Sequence, residues 1–185
     1  MNRDLILEYF VEYLTEVKSI KLISIELNEN SEETNVKLKL SVDNEVKELP
    51  GKGVGIVDAG FNALSDGFGE QFKSLSTIQL SDLYFQVDHS AGRELSLKSK
   101  TKMKLEFRND SKDKMCFSEK TTSMSFTSIS VLVKAFEFYI NCENLFKRLK
   151  FLIKDADQRG RSDVASKYRY NLSKVVEVTS YEVVA

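Results

Sequence analysis

Twice along this chain, three short runs of alternating apolar and polar residues precede one run with an apolar residue at every third or fourth position. Alternation sends successive side chains to opposite faces of a strand, whereas the longer spacing gathers them on one face of a helix. In the first pass Ile23, Ile25 and Leu27 form a strand. Val36, Leu38, Leu40 and Val42 form its partner, and residues 45–49 a short third strand. Val57, Phe61, Leu64, Phe68 and Phe72 then recur at helical spacing. In the second pass Ile78 and Leu80 alternate, but the apolar phase moves to Leu83, Phe85 and Val87. That slip at Ser81–Asp82 predicts a β-bulge. Met103, Leu105 and Phe107 mark the next strand, and Met115 and Phe117 open another. A helix from about residue 126 carries Leu132, Ala135, Phe136, Tyr139, Cys142, Phe146 and Leu149 on its apolar side. Asn30–Ser31 and residues 109–113 read as tight turns.

Three strands and one helix cannot bury both faces of a sheet, but two such units packed together can. The expectation is an α+β fold of duplicated βββα units, about 18–72 and 76–153, in layered antiparallel sheets with helices on one side of each. Apolar spacing adds a helix at about 3–16 and another at about 162–178, the latter begun by Ser162 as a cap. With 185 residues, 42% of them apolar, and no linker rich in Pro, Gly or Ser, the chain reads as a single domain, 1–185.

Charge excludes little. The net charge is −1, but residues 147–174 carry nine Lys or Arg against three Asp. Without the aromatic or glycine motif of an RNA module, that run reads as the solvated face of a helical hairpin rather than a nucleic-acid surface. The longest apolar stretch, 129–153, is broken by Lys134, Glu137, Glu143 and Lys147, so it reads as a buried helix and no membrane span is expected. The N-terminus has acidic residues and no cleavage site of a signal peptide. Two cysteines, Cys116 and Cys142, suit a reduced, cytoplasmic protein, each as a small apolar core residue.

Catalytic chemistry is poorly supplied. The one histidine, His89, stands at a strand end, and neither cysteine has a base in its sequence context. No CxxC, HxxxH or EF-hand spacing occurs. The reading is therefore no enzyme, no catalytic residues, no metal and no cofactor.

The stretch GKGVGIVDAGFNAL, Gly51 to Leu64, is the strongest local signal. Gly53, Gly55 and Asp58 give G-x-G-x-x-D, which puts a carboxylate where a dinucleotide fingerprint needs its third glycine. No GK[ST] follows, so a Walker loop fails as well. What remains for the glycines is positive φ or close approach by another backbone or a small ligand. Asp58 falls in the first helical turn, where a carboxylate meets unpaired amides and the positive end of the helix dipole.

These residues resemble the C-terminal regulatory domain of 2-isopropylmalate synthase and citramalate synthase, with its G-x-G-P-V-D-A-x-x-x-A-[IL] signature. Gly53, Gly55, Val57, Asp58, Ala59, Ala63 and Leu64 match, and Ile56 replaces the proline. Phe85-Gln86-Val87 is similar to the family's Tyr-x-Val strand, and Ala135, Phe136 and Asn141 to its Ala-Tyr…Asn helix pattern. The resemblance covers about residues 18–150 and implies two βββα units, agreeing with the layout above. It implies a homodimer, a feedback amino acid held between the units, and a synthase partner, since the catalytic barrel is absent from this chain. A small amino or keto acid would touch Gly53, Gly55, Val57 and Asp58, with Phe85 and Thr127 opposite. The second half departs from the family: Ser123, Thr127, Val131 and Leu132 stand where glycine, Asp or Asn, and an Ala-Ser pair are usual. Bulky Val131 and Leu132 would shrink the pocket. The alternative is therefore a binding-only adaptor or dimerisation protein with a closed pocket.

Overall fold

The computed structural model describes residues 3–88, 99–108 and 114–179. The elements run α1 (Arg3–Tyr13), β1 (Ile20–Glu29), β2 (Thr34–Val42), β3 (Glu45–Gly53), α2 (Ile56–Phe68), β4 (Gln79–Asp88), β5 (Lys100–Arg108), β6 (Lys114–Thr121), α3 (Met124–Gln158) and α4 (Ser162–Thr179). A short 3₁₀ turn, Lys73–Thr77, precedes β4. The α+β, twice-βββα reading holds, with one antiparallel sheet of order β1-β2-β3 and another of order β4-β5-β6. His89 and the turn expected at 109–113 lie outside the described residues.

The strand registers explain which side chains go inward. Leu38 pairs with Ile25 and Leu49, so the inner face of the first sheet is apolar, while Lys37 and Glu48 form an ion pair at 2.6 Å on the outer face. In the second sheet Leu105 faces Leu83 and Phe117, and Met103, Phe107 and Met115 join them on the inner side. The expected bulge is present, as a register shift between Leu80 and Asp82. A second shift, between Leu22 and Ser24, occupies the same place in β1. It corrects the inward assignment of Ile23, which is exposed while Leu22 and Ile25 pack on the core.

Two boundaries in the first unit also differ. β3 continues to Gly53 rather than ending at residue 49. As an edge strand it accommodates Pro50, which has no N–H to give a neighbour. α2 stops at Phe68 with Gly69 as its C-cap, so Phe72 is buried from the following turn rather than from the helix. The β2–β3 hairpin uses Asp43 and Asn44, both with positive φ (50° and 72°), as a two-residue turn of this kind requires. The turn after β1 is closed by Asn30, whose side-chain oxygen accepts from the Glu32 and Glu33 amides at 2.8 and 3.0 Å.

α3 organises the molecule. Val131, Leu132, Ala135, Phe136, Tyr139, Cys142, Phe146 and Leu149 are all buried. Burying each large side chain among them stabilises the fold by about 1.5–3 kcal/mol before entropy is counted. Its polar residues hold the chain on either side. The Asn141 side chain accepts from Lys18 N–H at 2.8 Å and donates to Lys18 C=O at 2.9 Å. Glu137 accepts from Ile20 N–H at 2.6 Å, and buried Glu143 from Ser74 N–H at 2.9 Å. α4 folds back along α3 after Gly160, the turn residue with φ of +67°. Asn171 on α4 donates to the Tyr13 hydroxyl at 2.9 Å, so α4 also fastens α1. Ser162 is its first residue and not a cap outside it.

Cys142 is fully buried, which pushes its thiol pKa upward. Cys116, expected in the core, is exposed instead. Its neighbours Met115 and Phe117 take the inward positions of β6, and alternation leaves Cys116 outside.

Candidate functional site

Gly51 and Gly53 end β3 directly under α2. A Cβ on Gly51 would run into the Ala59 carbonyl and lie 2.5 Å from Ala63 Cβ. One on Gly53 would strike the Ala59 amide and lie 2.5 Å from the Asp58 carboxylate. Neither position has positive φ, so of the two roles open to these glycines the close approach of backbones is the one in use. Gly55 is different: its φ is −151°, and nothing lies within 4 Å of an added Cβ. It is the N-cap of α2, and it brings no side-chain hydrogen bond. Among the described residues no side chain accepts from the first amides of α2. Asp58 reaches back instead, accepting from Val54 N–H at 3.0 Å and fixing the turn into the helix.

Beside this turn lies a cleft of about 760 Å³. Gly55, Ile56, Val57, Asp58, Phe61 and Asn62 line one wall, Ile78, Gln79, Leu80 and Leu83 the other, and Glu29 the lip. The first wall comes from the first βββα unit and the second from the start of the second unit. Phe61 bridges them, with its ring 5.3 Å from Phe136 and 6.4 Å from Phe107. The cleft is thus apolar inside, carries carboxylates at Asp58 and Glu29, and has the N-terminal end of α2 opening onto it. Such an end attracts anions, while the carboxylates attract cations.

Of the six residues singled out from the sequence, Gly55, Val57 and Asp58 line this cleft. Gly53 lies beneath the first turn of α2. Phe85 is exposed two residues beyond Leu83 on β4. Thr127 is fully buried in the first turn of α3, bonded to the Thr121 hydroxyl and the Ser123 carbonyl, both at 2.7 Å. The structure does not bring these three to the cleft. Ile78, Leu80 and Leu83 were visible in the sequence only as strand residues. The bulge at Leu80–Asp82 keeps all of them on one side, and that signal was present in the phase slip.

The second helix entry is closed. Ile129 and Leu132 pack against Gly60, where an added Cβ would strike the Ile129 side chain and lie 3.1 Å from Leu132. Val131 and Leu132 have no exposed surface.

The basic run at 147–174 is largely spent inside the molecule. Arg169 binds Asp157 at 2.7 Å, Arg159 Asp155 at 2.9 Å, Lys167 Glu12 at 3.0 Å and Lys147 Glu143 at 2.7 Å. Among the described residues no group of three His, Cys, Asp or Glu is placed to hold a metal, and no helix is long and apolar enough to cross a membrane.

A family model described as the LeuA allosteric (dimerisation) domain matches residues 2–114. That is more than half of the chain, so this protein belongs to the LeuA allosteric-domain family. The match takes in α1, the first βββα unit and the second sheet up to the start of β6; α3 and α4 lie beyond it. No curated protein matches the chain.

Proposed function

We propose that this chain is a non-catalytic regulatory module that forms a homodimer and binds a small amino or keto acid in the cleft between its two units. The observation that carries the reading is the cleft itself: an apolar chamber beside a helix N-terminus, at the junction of the units, lined by three residues of the family signature. A ligand carboxylate would take the amides that Gly55 leaves without side-chain partners, and an apolar side chain would lie against Val57, Phe61 and Leu80. Asp58 and Glu29 at the same cleft favour an amino acid over a keto acid, because an ammonium group can face them. Leu83 and Phe85 are each 42% exposed on edge strand β4, where their side of the sheet extends beyond the helices. A second copy of the chain covering that strip is the homodimer of this reading.

Thermal-shift assays over branched-chain amino acids and 2-keto acids test the ligand. At a hundred times the dissociation constant, binding adds about 2.7 kcal/mol of stability. No rise in melting temperature at millimolar ligand removes the reading. Light scattering tests the dimer, with Leu83→Glu expected to give a monomer. Association with a barrel-bearing synthase, changed by the bound amino acid, is the regulatory step to be sought by co-purification.

One observation favours a second reading, a dimerisation adaptor without ligand. Ile129 and Leu132 fill the space against Gly60, and Thr127 is withdrawn into the core, so only one of the two helix entries opens onto a cleft. A dimer that shows no ligand response would support this alternative.

A further inference from the structure

A second junction between the units carries its own chemistry. Where the start of β1 passes α3 and the end of β6, a groove of about 360 Å³ is lined by Ser19, Lys21, Glu119, Ser130, Lys134 and Glu137, with apolar Ile20, Leu22 and Val133 between them. It shares no lining residue with the cleft beside α2. Glu137 is only half committed. One of its carboxylate oxygens accepts from Ile20 N–H at 2.6 Å, and the other takes no hydrogen bond from the described residues. Burial raises the pKa of this carboxyl in spite of Lys21 and Lys134 nearby, with Asp43 acting in the same direction as burial. Lys134 is held by Glu119 and by the Ser118 carbonyl. Lys21 is exposed and has no ion pair among the described residues.

The groove therefore offers one free carboxylate oxygen, one uncommitted ammonium group and two hydroxyls along a lining shared with apolar side chains. A simple anion would meet Glu119 and Glu137, and a simple cation would meet Lys21 and Lys134. A molecule carrying an ammonium and a carboxylate a few bonds apart satisfies both sets. We infer that the β1–α3–β6 groove binds a small zwitterion, with its ammonium group on Glu137 and its carboxylate on Lys21. The volume, about 360 Å³, is at the small end of ligand clefts. Occupation would bridge the two units, because β1 belongs to the first unit and α3 and β6 to the second, at the Ser19–Leu22 end of β1 and not at the Glu29 end that meets the other cleft.

Backbone amide spectra of the full chain, titrated with alanine, methylamine and acetate in turn, test this. Alanine should give saturable shifts at Ile20, Lys21 and Glu137, and each single-charge probe should bind about tenfold more weakly or worse. Glu137→Gln keeps an acceptor for the Ile20 amide but removes the charge, and it should abolish the alanine response with little change in melting temperature. Should that variant unfold, Lys21→Ala, at an exposed position, should still weaken alanine binding several-fold. Val57→Trp, which blocks the other cleft, should leave the response intact. The inference is overturned by absence of saturable shifts with alanine, by an equal response to methylamine alone, or by an unchanged response in Glu137→Gln.

Discussion

The two βββα units turn from strand into helix by different means. Aligned on their first helical residues, Ile56 and Met124, Gly53 corresponds to Thr121, Gly55 to Ser123, Ala59 to Thr127 and Gly60 to Ser128. In the first unit the turn is made by absence of side chains. β3 and α2 approach so closely that a Cβ at Gly51 or Gly53 meets helix backbone, while Asp58 accepts from Val54 N–H and Asn62 donates to the Lys52 carbonyl. In the second unit the turn is made by hydroxyls. Ser123 accepts from Phe126 N–H at 3.3 Å, and Thr121 and Thr127 share a bond at 2.7 Å. The hydroxyl turn is filled and self-satisfied. The glycine turn leaves the amides at the start of α2 without side-chain partners, and its helix faces a cleft. The same topology thus yields one entry suited to a ligand and one suited to support.

That contrast can be broken by substitution. The largest effect is expected at Gly51→Ala, where the new methyl meets the Ala59 carbonyl and backbone must move. The loss should be about 3 kcal/mol or more in chemical denaturation, or the variant should fail to fold. The corresponding change in the second unit, Glu119→Ala, removes only an ion pair whose lysine is 40% exposed and should cost less than about 1 kcal/mol. Equal losses at the two positions would mean that the units do not differ as described. Next comes Thr127→Val, which removes a buried hydroxyl while the Thr121 hydroxyl and the Ser123 carbonyl keep each other and the Ser123 and Thr127 amides as partners. A cost of about 0.5–1.5 kcal/mol is expected, with no change in oligomeric state. The smallest effect is expected at Gly55→Ala. The backbone there is extended and the space open, so only the N-cap preference for glycine over alanine is lost, about 1 kcal/mol or less. A larger loss at Gly55 than at Gly51 would invert the account of the glycine stretch.

Much of this architecture is legible in the chain because period and burial agree. The helix stripe of α3 reads correctly from Leu132 to Leu149 since every member faces the core. The bulge at Leu80–Asp82 is legible because a one-residue slip moves an apolar row from one face to the other. The matching bulge in β1 is hidden, since Leu22 and Ile23 are both apolar and no slip shows. Cys116 misleads for a related reason: its type suits a core, but its parity in β6 puts it outside. The site is half legible. Gly55, Val57 and Asp58 are adjacent in sequence and share a turn, so they stay together. Phe85 and Thr127 depend on how far β4 extends and on which hydroxyls Thr127 finds, and neither is written in the local pattern. The groove at Glu137 is invisible in sequence because a glutamate on a helix reads as a solvated charge until β1 is laid across it.

The central claim is that the open entry of the first unit, and not the filled entry of the second, holds the ligand. Isothermal titration of the amino acid selected by thermal shift, into Val57→Trp and Thr127→Val side by side, tests it most directly. With the β1–α3–β6 groove silenced by Glu137→Gln in both proteins, Val57→Trp is expected to abolish the binding heat while Thr127→Val retains affinity within about threefold, less than 1 kcal/mol. Binding that survives Val57→Trp and is lost in Thr127→Val would contradict it.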